Sequence, residues 1–324
     1  MPQDSGILPH LKPVLKGALS WIPGVQRAFY DQKAAGGTGD VQYCYGVWLK
    51  HLTLLWQAGM QRMPAMVAEL GPGRSLGTGL AALLSGAESY GALDAVRHAS
   101  VATTAPVLEP MSALFRDRAP RPRKGWPDAD ELLDARLFPS HILTDERLTR
   151  SLDAPRLAEL GHAVRQLDAK KQDARVRYGT WRDAGEVVKD AEADLLFSQV
   201  VPSLVEDKDT FYQCCARWVK PGGWMSHHID FTSMGATNEW NGHLQYNEAI
   251  WRIIVGQRPF FVSRERLSHH VGLMQKYGFE IVSVARRGED GGIDRSRFAP
   301  RWRDMSEEDF QCAHAFVIAR KRVR

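Results

Sequence analysis

Apolar positions along this 324-residue chain recur at two spacings, and the switches between them mark its elements. From Leu8 to Tyr30, Leu11, Val14, Leu15, Leu19, Trp21, Ile22, Val25 and Phe29 read as helix. Lys12, Lys16 and Arg27 are interleaved, and Pro13 and Pro23 divide the run into short pieces. Gly36-Gly-Thr-Gly39 links it to a second helix in which Tyr45, Trp48, Leu49 and Leu52 take core spacing. Beyond residue 60, short apolar runs predict strands at Met66 to Ala68, Tyr90 to Asp94, Arg175 to Tyr178, Ala193 to Val201, Trp224 to Phe231, Phe279 to Ala285 and Ala313 to Arg320. Ala193 to Val201 is almost continuously apolar, as a strand covered on both faces should be. Helical stretches lie between them: an Ala/Leu-rich one from Leu76, one from Val205 to Val219 with Phe211, Cys214, Cys215 and Trp218 inward, and one starting near Ser263. Ser306-Glu-Glu-Asp309 resembles a capping box. This alternation predicts an α/β fold with a mostly parallel, twisted sheet flanked by helices.

Two stretches interrupt the alternation. Residues about 101–175 carry a basic, Pro-rich run from Arg116 to Pro127 and then charged helical segments from Asp145 to Asp173. They read as a cap over the sheet edge, and the basic run as either a phosphate-binding or a solvated loop. A second insertion, about 232–262, follows the fifth strand. The expected organisation is therefore an N-terminal helical segment, 1–60, and a ligand-binding domain, 61–324, with these two insertions.

The richest local chemistry lies in Glu69-Leu-Gly-Pro-Gly-Arg-Ser-Leu76, between the first strand and the first sheet-flanking helix. Gly71 and Gly73 let a ligand approach the backbone, and Asp94, about 20 residues on, stands where an acid accepts hydrogen bonds from ribose hydroxyls. A pyrophosphate fits poorly. Pro72 removes an amide donor, Leu76 stands where a third fingerprint glycine would fall, and Glu69 repels phosphate and suits a cation. S-adenosylmethionine (SAM), with ribose, ammonium and sulfonium but no phosphate, meets these demands.

Glu69-Leu-Gly-Pro-Gly with Asp94 resembles the first motif, and the acid after it, of class I SAM-dependent methyltransferases. Ala193-Asp-Leu-Leu-Phe-Ser-Gln199, Trp218-Val-Lys-Pro-Gly-Gly223 and Gln275-Lys-Tyr-Gly-Phe-Glu280 resemble later landmarks of that fold. ELGPGRSLGTGLAALLSGA, YCYGVWLKHL (Tyr43 to Leu52), LFSQVV and Ser226-His-His-Ile-Asp-Phe231 resemble a bacterial subgroup associated with polysaccharide and O-antigen gene clusters. The resemblance implies a Rossmann-like sheet ending in an antiparallel edge pair, SAM as cofactor, and a sugar or glycan acceptor. It also implies that Ser75 and Leu76 line the cofactor, with Trp181 as an apolar wall for the adenine and Asp183 as the acid on its amine. Asp183 reads equally well as a helix N-cap. Ser198 and Gln199 end the fourth strand, where open α/β sheets hold ligands. The subgroup's Leu-Glu-His after that strand is replaced by Pro202-Ser203-Leu204, so no histidine role carries over there.

Strand alternation puts His227 and Ile229 on one face, His228 and Asp230 on the other. A hydroxyl acceptor benefits from a base, and a histidine aligned by a carboxylate is the natural one. His227 or His228 with Asp230 is the candidate acid–base group, and the subgroup pattern Ser-His-x-x-Asp favours His227. The same residues read alternatively as structural histidines or as a small metal site, and no metal is expected. Asn238, Trp240, Asn241, His243, Tyr246 and Trp251 mix rings, amides and an imidazole as a carbohydrate site does; the alternative is a loop that packs its aromatics inward.

Composition narrows the rest. With 44% hydrophobic residues the chain can bury one large core, and a net charge of +4 does not demand a nucleic-acid partner. Four cysteines (Cys44, Cys214, Cys215, Cys312) lack CxxC spacing, which fits reduced thiols and a cytoplasmic protein. No apolar run reaches the length of a membrane span and no signal-peptide core is evident, but residues 8–30 read either as a basic segment on a membrane surface or as packing on the main domain. The expected activity is O-methylation of a sugar or glycan. Alternatives are another small-molecule acceptor, an NAD-binding oxidoreductase, or a SAM-binding protein without activity.

Overall fold

The structure, a computed structural model, describes residues 8–22, 37–122 and 137–323. Val25, Arg27 and Phe29 of the N-terminal pattern, and the part of the basic run from Arg123 to Pro127, lie outside the described residues.

Seven strands form one sheet: β1 (Met66–Leu70), β2 (Ser89–Asp94), β3 (Val176–Thr180), β4 (Ala193–Gln199), β5 (Val219–Asp230), β6 (Phe279–Arg287) and β7 (His314–Lys321). Their order is β3-β2-β1-β4-β5-β7-β6. The pairs β3–β2, β2–β1, β1–β4 and β4–β5 are parallel, whereas β7 runs antiparallel to both β5 and β6. This is a Rossmann-like, mostly parallel sheet with an antiparallel pair at one side; β7 is one place in from the edge and β6 lies outside it. Chain order reverses between β1 and β4, which opens a crevice at the carboxyl ends of those strands.

Both faces of the sheet are covered, which is why its central strands read as apolar throughout. Val67, Leu195 and Phe197 face a core shared with the Val41–Gln57, Gly77–Leu84 and Val101–Arg116 helices. Ala68, Leu70 and Leu196 face the Lys208–Trp218 and Leu267–Lys276 helices. The Val41–Gln57 helix, capped by Asp40 accepting from the Gln42 amide at 2.9 Å, buries Cys44, Trp48, Leu52 and Leu55 in the first of these cores. Residues on both sides of position 60 thus share this core.

Close packing between the Gly77–Leu84 helix and the sheet depends on Gly79, because a Cβ there would collide with the Tyr90 ring. The close-approach role assigned by spacing to position 76 has moved to residue 79. Leu76 is instead fully buried in the core. Of the landmark Trp218 to Gly223, Trp218 ends the Lys208–Trp218 helix and Val219 to Gly223 is already strand. This stretch is the irregular opening of β5, where the register with β4 jumps from Ala193–Val219 to Leu195–Trp224. The expected helix start near Ser263 is also displaced, to Leu267; the preceding residues carry the buried side chains of Arg264 and Arg266.

Candidate active site

The carboxyl ends of β1 and β2 bring the acids of the glycine loop together. Glu69 is buried near the end of β1 and accepts a hydrogen bond from the Tyr90 hydroxyl. Burial, with Asp94 adding like charge nearby, pushes its carboxyl up to about 8. Among the described residues no ion pair to a cation balances it. Asp94, at the end of β2, is also raised, chiefly by burial; its carboxylate accepts from the amides of Gly73 (3.2 Å) and Ala95 (2.8 Å).

Gly71 and Gly73 both have positive φ, +71° and +73°. A side chain at Gly71 would also strike Val201, which lies over the loop from beyond β4. Pro72 is buried. Ser75 and Leu76 face inward: the Ser75 hydroxyl donates to the Thr38 carbonyl, and the Leu76 amide donates to Thr104 Oγ1 at 3.3 Å. Thr38 is a residue that sequence reasoning missed. Its hydroxyl oxygen accepts from the amides of Arg74 (2.8 Å) and Ser75 (3.4 Å). Three successive amides, 73 to 75, are therefore already engaged by this chain's own oxygens.

The proposed adenine side is only partly formed. Trp181 is half-buried and stacks on Trp218, with ring centroids 5.7 Å apart and an interplanar angle of 23°. Asp183 makes no side-chain bond as N-cap of the Ala184–Val187 helix, but completes a capping box on Thr180. Its Oδ2 accepts from both the amide and the hydroxyl of Thr180 at 2.9 Å, and these bonds hold its carboxyl below the usual range.

At β4 and β5 the two histidines part company. Ser198 and His227 are register partners on one face, and Ser198 Oγ and His227 Nδ1 share a hydrogen bond of 2.7 Å. His227 is fully buried beside Phe211 and Tyr212, and burial pulls it down to about 3. It does not pair with Asp230, whose side chain leaves the opposite face. That other face holds Gln199, Ser226, His228 and Asp230 of β4 and β5, and His314 of β7. His51, from the Val41–Gln57 helix, lies between Phe197 and Phe316 and bonds Ser226 Oγ (2.8 Å) and Gln199 Oε1 (3.2 Å). Gln199 also lies beside the Tyr43 side chain. His228 lies with its ring centroid 5.6 Å from that of His314, and burial holds it well below the ordinary imidazole range.

Because β7 is antiparallel, its first residue, His314, sits at the ligand end of the sheet directly across from Asp230. His314 Nε2 is 2.9 Å from Glu289 Oε1, and its Nδ1 is 3.7 Å from Asp230 Oδ1. The buried guanidinium of Arg266 fixes this corner, donating to the carbonyls of Phe231 (3.0 Å), Asp309 (2.8 Å) and Cys312 (2.5 Å). Sequence reasoning missed His314, Glu289 and Arg266, because their meeting depends on an antiparallel register that no local pattern announces. His51 stood inside a motif quoted for its resemblance, without a role. Among the described residues no group of three His, Cys, Asp or Glu is placed to hold a metal ion.

Most of the expected substrate segment packs inward. Asn241 bonds the backbone of Ile293 through both its amide nitrogen (3.1 Å) and its oxygen (2.7 Å). His243, Tyr246 and Trp251 are buried, with Trp251 between Arg264, 4.9 Å from its ring, and Phe261. Asn238 is exposed and Trp240 half-exposed, so these two remain available at the rim.

No family model and no curated protein matches the chain. Similar solved structures include a SAM-dependent methyltransferase from Methanosarcina mazei, at 11% identity over 83% of this chain and 98% of that one, with a TM-score of 0.44. Another is a SAM-dependent methyltransferase from Mesorhizobium loti, at 12% identity over 83% of this chain and 96% of that one, with a TM-score of 0.40. Phosphoethanolamine N-methyltransferase 2 of Haemonchus contortus, in complex with SAM, is similar at 15% identity over 92% of this chain and 60% of that one, with a TM-score of 0.42.

Proposed function

We propose that this chain is a SAM-dependent methyltransferase that methylates a hydroxyl of a sugar or glycan. The observation that carries the cofactor reading is the state of the loop. A dinucleotide's pyrophosphate needs free backbone amides and gains nothing from an acid beside it. Here amides 73 to 75 are engaged by Asp94 and Thr38, and Glu69 lies buried with no cation paired to it among the described residues. A ligand with a ribose diol and a positive amino-acid end suits that donor set, so Asp94 would hold the ribose and Glu69 would stand beside positive charge. SAM, when bound, supplies a methyl group on an already activated sulfonium sulfur.

What remains for the chain is positioning and proton removal. The acid–base group is the Asp230 side of β5. Burial keeps His228 neutral, with a lone pair free of a proton but of lowered basicity, and His314 beside it is oriented by Glu289 with Asp230 beyond it. His227 serves packing, through Ser198. The sugar acceptor is supported by the resemblance to the polysaccharide-associated subgroup and by Asn238 and Trp240 at the rim. A cytoplasmic setting fits the buried, unpaired Cys44, Cys215 and Cys312, with the Cys44 and Cys312 thiols pushed up to about 12 by burial. Glycans from cells with and without the protein should differ by one methyl mass. Transfer from isotopically labelled SAM to those glycans should follow, and no labelled glycan with the purified chain would refute the acceptor assignment.

A further inference from the structure

The Leu8–Leu19 helix turns its apolar stripe the wrong way for a soluble surface. Pro13, Gly17 and Ser20 face the protein, while Leu11, Leu15, Leu19, Trp21 and Ile22 point outward, Trp21 being 61% exposed. An amphipathic helix ordinarily buries that stripe. The helix is firmly seated all the same. Gly17 lies against the backbone carbonyls of Ile253 and Ile254, so closely that a Cβ would not fit. The Ser20 hydroxyl donates to the Gly17 carbonyl (2.5 Å) and accepts from the Gln257 amide (2.8 Å). This contact brings the Glu248–Val255 helix, with its exposed Ile253, directly against the Leu8–Leu19 helix. Ile250 and Phe260 are exposed on the same second segment.

On the two described segments that form this face, the charge not held in an ion pair has one sign. Between residues 8 and 22 the chain carries Lys12 and Lys16 and no acid. On the second helix Arg252 is exposed, while the acid, Glu248, is engaged by Arg264 (2.6 Å) and Arg301 (3.1 Å). An apolar face edged by cations, with a tryptophan at one end, is what a helix lying in an anionic membrane surface presents. A second copy of the chain would bring the same lysines against each other.

We infer that the paired Leu8–Leu19 and Glu248–Val255 helices dock this protein on an anionic lipid surface. The second helix buries Trp251 and Ile254 beside His243 and Tyr246, so the docking face is continuous with the substrate-side insertion. Resting on the proposed function, this makes the acceptor a glycan carried on a lipid; the docking itself does not depend on that reading.

Flotation of the full chain with vesicles tests it, using phosphatidylcholine alone and with phosphatidylglycerol. The expected result is capture by the anionic vesicles, weakened at high salt, and lowered about tenfold or more by Leu15→Glu with Leu19→Glu. Both positions are exposed, so the variant should fold, which its circular dichroism and S-adenosylhomocysteine binding would check. Lys12→Glu with Lys16→Glu should remove the preference for anionic lipid. No capture of the parent chain, or equal capture of the leucine variant, overturns the inference. So does a dimer that Leu15→Glu dissociates without any vesicle binding. A chain that floats but binds no S-adenosylhomocysteine keeps the docking and loses the cofactor reading.

Discussion

Tyr90 of β2 donates its hydroxyl hydrogen bond to the carboxylate of Glu69 in β1, and both side chains are buried. The same tyrosine ring is the surface on which Gly79 allows the neighbouring helix to close. One residue thus fixes both the acid and the helix that follows the glycine loop. The acid is left with a neutral partner, and its burial favours the protonated form.

That imbalance predicts proton-linked binding. Free of ligand, Glu69 holds its proton up to about 8. A ligand bearing an ammonium or sulfonium favours the ionised form, so binding expels the proton and affinity rises with pH toward 8. Calorimetry near neutral pH in buffers of different ionisation enthalpy should detect proton release on S-adenosylhomocysteine binding. Glu69→Gln should abolish that release and weaken binding; unchanged release would remove Glu69 from the site.

The sign for stability is opposite. A carboxyl whose folded pKa lies above its unfolded value destabilises the fold as pH rises between them, here from about 4.5 to about 8. Ligand-free Glu69→Gln should therefore be the more stable protein at pH 8, by on the order of 2–4 kcal/mol in urea unfolding. Equal stability would mean that the acid is better solvated than its burial indicates.

Buried histidines give the acid limb. His51 and His227 are both pulled down to about 3, so the folded chain refuses protons that the unfolded chain accepts below about 6.5. Stability should fall as pH drops from 6.5 toward 3, by up to about 1.4 kcal/mol per pH unit for each histidine. Chemical unfolding at several pH values should show a shallower fall for His227→Asn than for the parent.

Turnover should separate the faces of β5. His228→Ala, Asp230→Asn and His314→Ala should each lower kcat by roughly 10²–10³ while leaving S-adenosylhomocysteine affinity within about twofold. His227→Ala should act mainly through stability. If His227→Ala alone loses turnover at full stability, the base has been assigned to the wrong face.

Much of this was legible in the chain because it is local. The apolar runs of β1 and β4, the glycines at positive φ and the acid closing β2 all lie within a few residues of the signal that reveals them. The alternation in β5 already separated His227 from Asp230. What escaped depends on distant partners. Thr38 reaches the loop amides from a segment read as a linker. His314 meets Asp230 only because β7 inserts antiparallel beside β5. Asn241 and Trp251 resemble sugar-binding groups in sequence. Asn241 bonds Ile293 of one satellite core, 52 positions away, and Trp251 packs in another with Arg264, 13 positions away, over its ring.

The most direct test of the central claim is a calorimetric titration of the purified chain with S-adenosylhomocysteine and, separately, with NAD. The account predicts binding of S-adenosylhomocysteine in the micromolar range, on the order of −8 kcal/mol. Asp94→Ala should weaken it by roughly 1–3 kcal/mol without unfolding, and NAD should bind nowhere near as well. Tight binding of NAD with none of S-adenosylhomocysteine would contradict it.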